Sequence, residues 1–340
     1  MRRPVEEDEA MARPSDMTGA YGRTIDYARI SVTDRCNYRC TYCMPEEGVE
    51  SLPHEEIMRY EDITFLCRVL LDLGVRKVRF TGGEPLVRKG MLPFLRGFRE
   101  DFPETSLSIT TNASLLKNPA ELAAVNLSSI NVSLDTMDPE KFREITRVGD
   151  LSEVLAGIAA ARDAGVPVIK TNTVLIRGFN DGEFPRILSY AWDNGLIPRL
   201  IEFMPLSGDL WGGGKFIGAG DILSFLEERC GPWMPFEGKK SDDFSPAGPA
   251  KYYVNSQNNV VGVIDAVSNH FCATCNRLRV SASGGLRACL FGSVVAKLSD
   301  ALRKRDAPAL SEAIRAGMEQ KPKHWDFSHS GTSRMSGIGG

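Results

Sequence analysis

The chain has 340 residues, 42% of them hydrophobic, 25% charged and 8% aromatic. That length allows one large or two medium cores, and that composition excludes a disordered, collagen-like or fibrous chain. Lys plus Arg number 41 against 44 Asp plus Glu, a net charge of -3, so nothing global points to duplex nucleic acid or a membrane surface, and any anion site is local.

Residues 1–22 are rich in acids, Pro and Met without periodicity and read as a flexible extension. The opening MRRPVEEDEAMARPSD carries five acids and no apolar h-region. No apolar run approaches the roughly 18 residues of a membrane span, which leads to the expectation of a cytoplasmic protein. Six β-rich runs follow: ARISVTD (28–34), KVRFTG (77–82), LSITTN (107–112), SINVSLD (129–135), VIKTNTVLI (168–176) and RLIEFMP (199–205). Amphipathic stretches such as EDITFLCRVLLDLG, MLPFLRGFRE, NPAELAAVN, LSEVLAGIAAARDAG and FPRILSYAWDNG lie between them. Strand and helix repeated six times predict a parallel sheet with right-handed crossovers, doubly wound or partly closed into a barrel.

Polar residues in the strands favour the barrel. Lys77 and Arg79 share one face by the period of two, as do Thr110 and Asn112, Asn131 and Ser133, and Lys170 and Asn172. A fully buried parallel strand is apolar on both faces, so these pairs predict a common polar interior that holds a ligand. After about residue 206 the rhythm fails in Gly-, Pro- and Ser-rich loops around a short helical segment, ILSFLEERC. YYVNSQNNVVGVIDAV then reads as a hairpin turning at NN, and VVAKLSDALRKRD and PALSEAIRAGMEQ as helical. This last region is expected to cover one mouth of the barrel.

Six of the eight cysteines fall into two groups, Cys36, Cys40 and Cys43, and Cys272, Cys275 and Cys289. Cys67 and Cys230 stand alone. Grouped thiols in a chain without a secretory leader point to metal or redox chemistry before disulfides. In RCNYRCTYCMP the spacing is three and then two residues, directly after a strand. Zinc would want a fourth ligand, whereas three thiolates from one loop suit a 4Fe-4S cubane with one iron left open. TGGEP (81–85) follows the second strand, and its two Gly admit a close backbone approach. The second group has two and then thirteen residues between its cysteines, again without a convenient fourth; His270 beside it reads as an ordinary histidine. From Ala266 to Ser299 the charges are Arg277, Arg279, Arg287 and Lys297, with no acid, a local anion site beside a second open iron.

The C-x-x-x-C-x-x-C loop, TGGEP and NVSLD (131–135) resemble the radical S-adenosylmethionine (SAM) superfamily. YARISVTDRCNYRCTYCMP, VRKVRFTGGEPLVR, RLIEFMP, FCATCNRLR and the terminal GIGG further resemble its MoaA family of GTP 3',8-cyclases, from about Arg23 to Gly340. The resemblance implies an incomplete (β/α)6 barrel over 23–240 and a C-terminal region over 241–340 with a second 4Fe-4S cluster and a Gly-Gly tail. It implies a lyase in which a 5'-deoxyadenosyl radical removes the ribose 3' hydrogen of GTP and C3' attacks guanine C8. The product, a cyclic 3',8-dihydro-GTP, opens molybdenum cofactor biosynthesis and passes to MoaC. A flavodoxin or ferredoxin electron donor and a homodimer are expected.

By the same resemblance Cys36, Cys40 and Cys43 hold the SAM cluster, and Tyr42, Gly83, Ser133 and Met204 line the SAM pocket. Cys272, Cys275 and Cys289 hold the GTP cluster, and Arg29, Lys77, Arg79, Thr110, Lys170, Arg199, Arg277 and Arg279 face GTP. A triphosphate of about four negative charges needs several cations, and Arg forks bind phosphate oxygens in pairs. Gly339 and Gly340 would enter the active site, where a chain without Cβ threads a narrow channel. Ala113 stands where the family usually has Gly; a positive φ there would strain the loop.

Overall fold

A computed structural model describes residues 17–204, 213–236 and 248–325. In chain order, β1 (Thr18–Gly19) pairs antiparallel with β2 (Arg23–Thr24). Met17 beside them is 1% exposed, so the segment expected to be flexible through residue 22 is built into the fold from Met17 onward. Apolar burial explains this: Met17 belongs to the same buried cluster as Ile25 and Met318.

The repeating unit follows as β3 (Tyr27–Ser31), α1 (Tyr60–Asp72), β4 (Lys77–Thr81), α2 (Met91–Asp101), β5 (Ser106–Thr111), α3 (Pro119–Ala123) and β6 (Ser129–Ser133). It continues through α4 (Pro139–Thr146), α5 (Leu151–Asp163), β7 (Ile169–Leu175), α6 (Phe184–Asp193) and β8 (Ile197–Glu202). Beyond it lie α7 (Ala219–Cys230), β9 (Trp233–Pro235), β10 (Lys251–Asn255), β11 (Val260–Ile264), β12 (Arg277–Val280), β13 (Gly285–Arg287), β14 (Ala296–Lys297), α8 (Ser299–Lys304) and α9 (Ala307–Glu319). The stretch VVAK, expected to be helical, contributes β14 instead. The predicted hairpin is β10 and β11, with Asn258 at φ 61° in its turn.

Helix starts are written locally. Asn118, Asp138, Asp150 and Asp306 accept backbone N–H groups at the first turns of α3, α4, α5 and α9, and Pro follows at the start of α3, α4 and α9. α4 escaped the sequence reading because PEKFREIT offers little apolar stripe, although Asp138-Pro139 is a readable cap.

Among the described residues one twelve-stranded sheet runs in the order β14-β13-β12-β3-β4-β5-β6-β7-β8-β11-β10-β9. β3 to β8 are parallel and in chain order, and the C-terminal region adds β12 parallel to β3 and β11 parallel to β8. The six-stranded unit is therefore an open, incomplete barrel whose two edges are both extended by the C-terminal region. Strands from before and after the expected boundary at residue 240 share that one sheet.

One strand face packs on the helices: Ile30, Val78, Phe80, Ile109, Ile130 and Val132 bury against residues such as Leu66, Leu95, Phe98, Val154 and Ile158. Each such side chain contributes about 1.5–3 kcal/mol on leaving water, which fixes the register and sends alternate residues inward. The inward rows are polar. Arg279 pairs with Arg29 and Arg29 with Arg79; Thr110 pairs with Asn131; Ser133 pairs with Asn172 and Asn172 with Arg199.

Candidate active site

The loops at the C-terminal ends of β3 to β8 meet the C-terminal region around one cavity of about 280 Å³. Both cysteine triads line it, together with Arg29, Arg199, Arg277 and Arg279. All six thiols are free.

The first triad sits on a tight loop after β3. The Cys43 and Met44 amides donate to the Cys40 carbonyl, and Arg39 Nη1 donates to the Cys36 carbonyl at 2.7 Å. Burial pushes the Cys36 thiol up to about 11 and raises the Cys40 thiol well above its ordinary value. The glycines of TGGEP line the cavity and also have a task within the protein. A Cβ on Gly82 would lie 2.5 Å from the Thr33 carbonyl oxygen and one on Gly83 2.4 Å from that of Arg35. The pair lets the second loop lie against the cysteine loop. Glu84 is likewise occupied within the protein, accepting from Leu86 N, Thr111 Oγ1 and Asn112 N at 2.7–3.0 Å. Burial pushes its carboxyl up to about 7 against those three donors. Tyr42 donates its hydroxyl to Asp135 Oδ2 at 2.7 Å, and the Val174 amide donates to Asp135 Oδ1 at 2.8 Å.

Around the second triad, burial raises the Cys275 thiol, but the Arg277 and Lys321 charges outweigh it and bring it down to about 6. Arg277 hydrogen-bonds Cys275 and lies 4.9 Å from the Phe271 ring centroid. The segment after α9 folds over this triad: Trp325 donates its amide to Cys272 and stacks on Phe291 at 5.8 Å. Arg23 and Lys321, which the sequence reading passed over, join the lining.

Thr110 Oγ1, Asn131 Oδ1, Asn172 Oδ1, Arg199 Nε and Arg277 Nε are buried without a hydrogen-bond partner on residues that line this cavity. Buried polar atoms are rarely left unpaired, so several around one cavity call for a polar ligand. Among the described residues no three His, Cys, Asp or Glu side chains form a single-ion site. Two triads of thiols around a shared polar cavity fit two clusters with ligands between them.

Of the residues expected to bind SAM, Tyr42, Gly83, Ser133 and Met204 all line the cavity, as do Arg29, Thr110, Arg199, Arg277 and Arg279 from the GTP set. Lys77, Arg79 and Lys170 lie outside that lining. Arg79 and Lys170 are each 3% exposed, and Arg79 donates to Tyr27 Oη at 2.5 Å, to the Ile109 carbonyl and to Ser129 Oγ. Lys77 sits 5.6 Å over the Tyr27 ring. Tyr27 itself was missed: burial would raise its phenol, yet Arg79, Arg29 and Lys77 lower it to about 7. His270 Nδ1 pairs with the Ala266 carbonyl. Gly339 and Gly340 fall outside the described residues.

Comparison with known proteins gives two family matches, the Radical SAM superfamily over residues 30–191 and Molybdenum Cofactor Synthesis C over 197–327. The chain is 42% identical over 335 residues to a GTP 3',8-cyclase of Pelotomaculum thermopropionicum, covering 95% of this chain and 100% of the relative. To the GTP 3',8-cyclase of Thermodesulfovibrio yellowstonii it is 39% identical, with the same coverage of both chains. Among solved structures, Streptococcus suis SuiB bound to its precursor peptide SuiA superposes with a TM-score of 0.59 at 15% identity. That match covers 87% of this chain and 67% of SuiB, and shows a shared fold. With near full-length identity to those cyclases and both cysteine triads on one cavity, the chain belongs to the GTP 3',8-cyclase family of radical SAM enzymes.

Proposed function

We propose that the chain converts GTP to the 3',8-cyclised dihydroguanosine triphosphate, the first step of molybdenum cofactor biosynthesis. The observation that carries this reading is the meeting of two cysteine triads and four arginines around one cavity. Cys36, Cys40 and Cys43 would hold the cluster that takes SAM, and Cys272, Cys275 and Cys289 the one that takes GTP. When bound, the first cluster supplies the electron that turns SAM into the hydrogen-abstracting deoxyadenosyl radical.

The protein's own residues bind, orient and exclude water. Tyr42, tied to Asp135, gives the SAM side a fixed aromatic wall. Arg29 and Arg279, in register on adjacent strands, present guanidinium forks to the triphosphate. Their burial strengthens that attraction, because the local dielectric is low. Lys77, Arg79 and Lys170 lie outside the lining and extend the positive field, with Arg79 held by Tyr27 and Ser129. Asn131 and Asn172 leave amide oxygens for a donor on the substrate. Gly339 and Gly340 would complete the site. Hand-over to MoaC, reduction by a flavodoxin or ferredoxin, a homodimer and a cytoplasmic setting belong to the same reading; among the described residues no helix is long and apolar enough to cross a membrane.

Anaerobic incubation of reconstituted protein with SAM, dithionite and GTP tests it, with mass spectrometry of 5'-deoxyadenosine and the cyclised product. Both should appear and depend on GTP. SAM cleavage with GTP untouched would replace the substrate and leave the radical SAM core standing.

A further inference from the structure

Lys321 lies just beyond α9, far in sequence from both cysteine groups, and is 3% exposed. Its ammonium has three hydrogens to place. One goes to the Arg277 carbonyl at 2.8 Å and one to the Ala288 carbonyl at 2.6 Å, and the side chain also hydrogen-bonds the Cys275 sulfur. Arg277 follows Cys275 by two residues and Ala288 immediately precedes Cys289. One side chain therefore ties together the two segments that carry the second triad.

The backbone of Lys321 is clamped in turn. Arg23 donates to the Lys321 carbonyl at 2.7 Å, to Pro322 at 2.9 Å and to the Cys272 carbonyl at 2.6 Å. The N-terminal ribbon, the Cys272 loop and the segment after α9 thus meet at one guanidinium. The charge also needs an explanation. A buried ammonium costs several kcal/mol unless negative charge offsets it, and among the described residues no Asp or Glu is ion-paired to Lys321. The groups around it that carry negative charge as thiolate ligands are Cys272, Cys275 and Cys289. Arg277 hydrogen-bonds the same sulfur as Lys321, and both line the cavity, but the donors of Lys321 are spent on the triad and its frame.

We infer that Lys321 is a positioning residue of the second cluster, fixing the spacing of its thiolates and setting its reduction potential. Adding one electron makes a cluster more negative by one charge, and a fixed buried cation beside a ligand sulfur favours that reduced form. This rests on the assignment of Cys272, Cys275 and Cys289 as cluster ligands, proposed above.

The test uses the full chain with Cys36, Cys40 and Cys43 replaced by Ala, so that iron and spectroscopic signal report the second triad alone. Parent, Lys321→Gln and Lys321→Arg are reconstituted, and the cluster potential is read by dithionite titration followed by electron paramagnetic resonance. Lys321→Gln should shift the potential downward, while Lys321→Arg stays near the parent. Loss of the cluster in Lys321→Gln with retention in Lys321→Arg supports the same role. An unchanged potential in Lys321→Gln, or loss in both variants, overturns it. A parent that binds no iron instead removes the ligand assignment itself, and the inference falls with it.

Discussion

The carbonyl oxygen of Ala113 rests against Gly157 of α5 so closely that a Cβ built on Gly157 would fall 2.0 Å from it. Ala113 itself has φ 64° and is fully buried, which is the strained geometry expected if that position required a positive φ. An L-residue there costs about 1–2 kcal/mol. The loop holds because its neighbours are pinned: Asn112 N donates to Glu84 at 2.7 Å and Ser114 N to Asn112 Oδ1 at 3.0 Å. Gly157→Ala should destabilise the protein by about 3 kcal/mol through overpacking against rigid backbone, measured by denaturant unfolding. Ala113→Gly should be neutral or gain up to about 1 kcal/mol, since relief of strain is partly offset by the lost methyl burial. A clear loss in Ala113→Gly would show that the loop carries no strain.

Glu84 makes stability depend on pH. Its carboxyl ordinarily titrates at 4.5 and burial moves it up to about 7 in the folded protein. The folded state therefore holds the proton more tightly than the unfolded chain, and the protein loses stability as pH rises from about 4.5 to about 7. At higher pH the loss is complete, on the order of 3 kcal/mol. Relative to Glu84→Gln, which does not titrate, the parent should weaken across that window and run parallel to it above. Equal pH slopes in the two proteins would mean that the three donors around Glu84 cancel the effect of burial.

Tyr27 carries the opposite sign. Burial alone would raise its phenol, but Arg79, Arg29 and Lys77 bring it from 10.0 to about 7. The folded state favours the phenolate, so its contribution is full above pH 10, declines as pH falls, and is gone once the phenol is protonated below about 7. A near-ultraviolet titration should show one tyrosinate forming near neutrality that disappears in Tyr27→Phe. Adding GTP should move that titration upward, because a triphosphate competes for the same cations. No tyrosinate near pH 7 would mean that the cations are already neutralised by other groups.

The alternation of polar and apolar residues made the strands and their inward face legible, because the period of two is imposed by the pleat itself. Which residues of that face reach the cavity was not legible, because side-chain partners such as those of Arg79 decide it. Lys77, Arg79 and Lys170 lie on the correct face, yet the structure sets them outside the cavity lining that Arg29, Arg199, Arg277 and Arg279 reach. The cysteine spacing marked both triads because each is local apart from Cys289. Arg23 and Lys321 were invisible for the opposite reason: their bonds to the second triad's frame span long stretches of sequence, and no local pattern records them. TGGEP was recognised as needing glycines, but the partner that crowds them is the backbone of Thr33 and Arg35, which only the fold brings near.

Arg279 gives the clearest test of the anion site. Arg277 also holds the Cys275 sulfur, so its loss confounds cluster and substrate, whereas Arg279 lines the cavity in register with Arg29. Burial first, then repulsion from Arg277, lowers its guanidinium to about 10. It remains charged at pH 7, a buried cation poised for an anion. Hydrogen bonds to charged groups contribute about 1.5–3 kcal/mol each, so Arg279→Ala should weaken GTP binding roughly 10- to 100-fold in anaerobic calorimetry, while SAM cleavage by the first cluster persists. Because the site is shielded from solvent, raising salt should weaken parent binding less than it would at an exposed patch. Unchanged GTP affinity in both Arg279→Ala and Arg277→Ala would mean that the triphosphate lies elsewhere, and the row of arginines on β3 and β12 would then need another ligand.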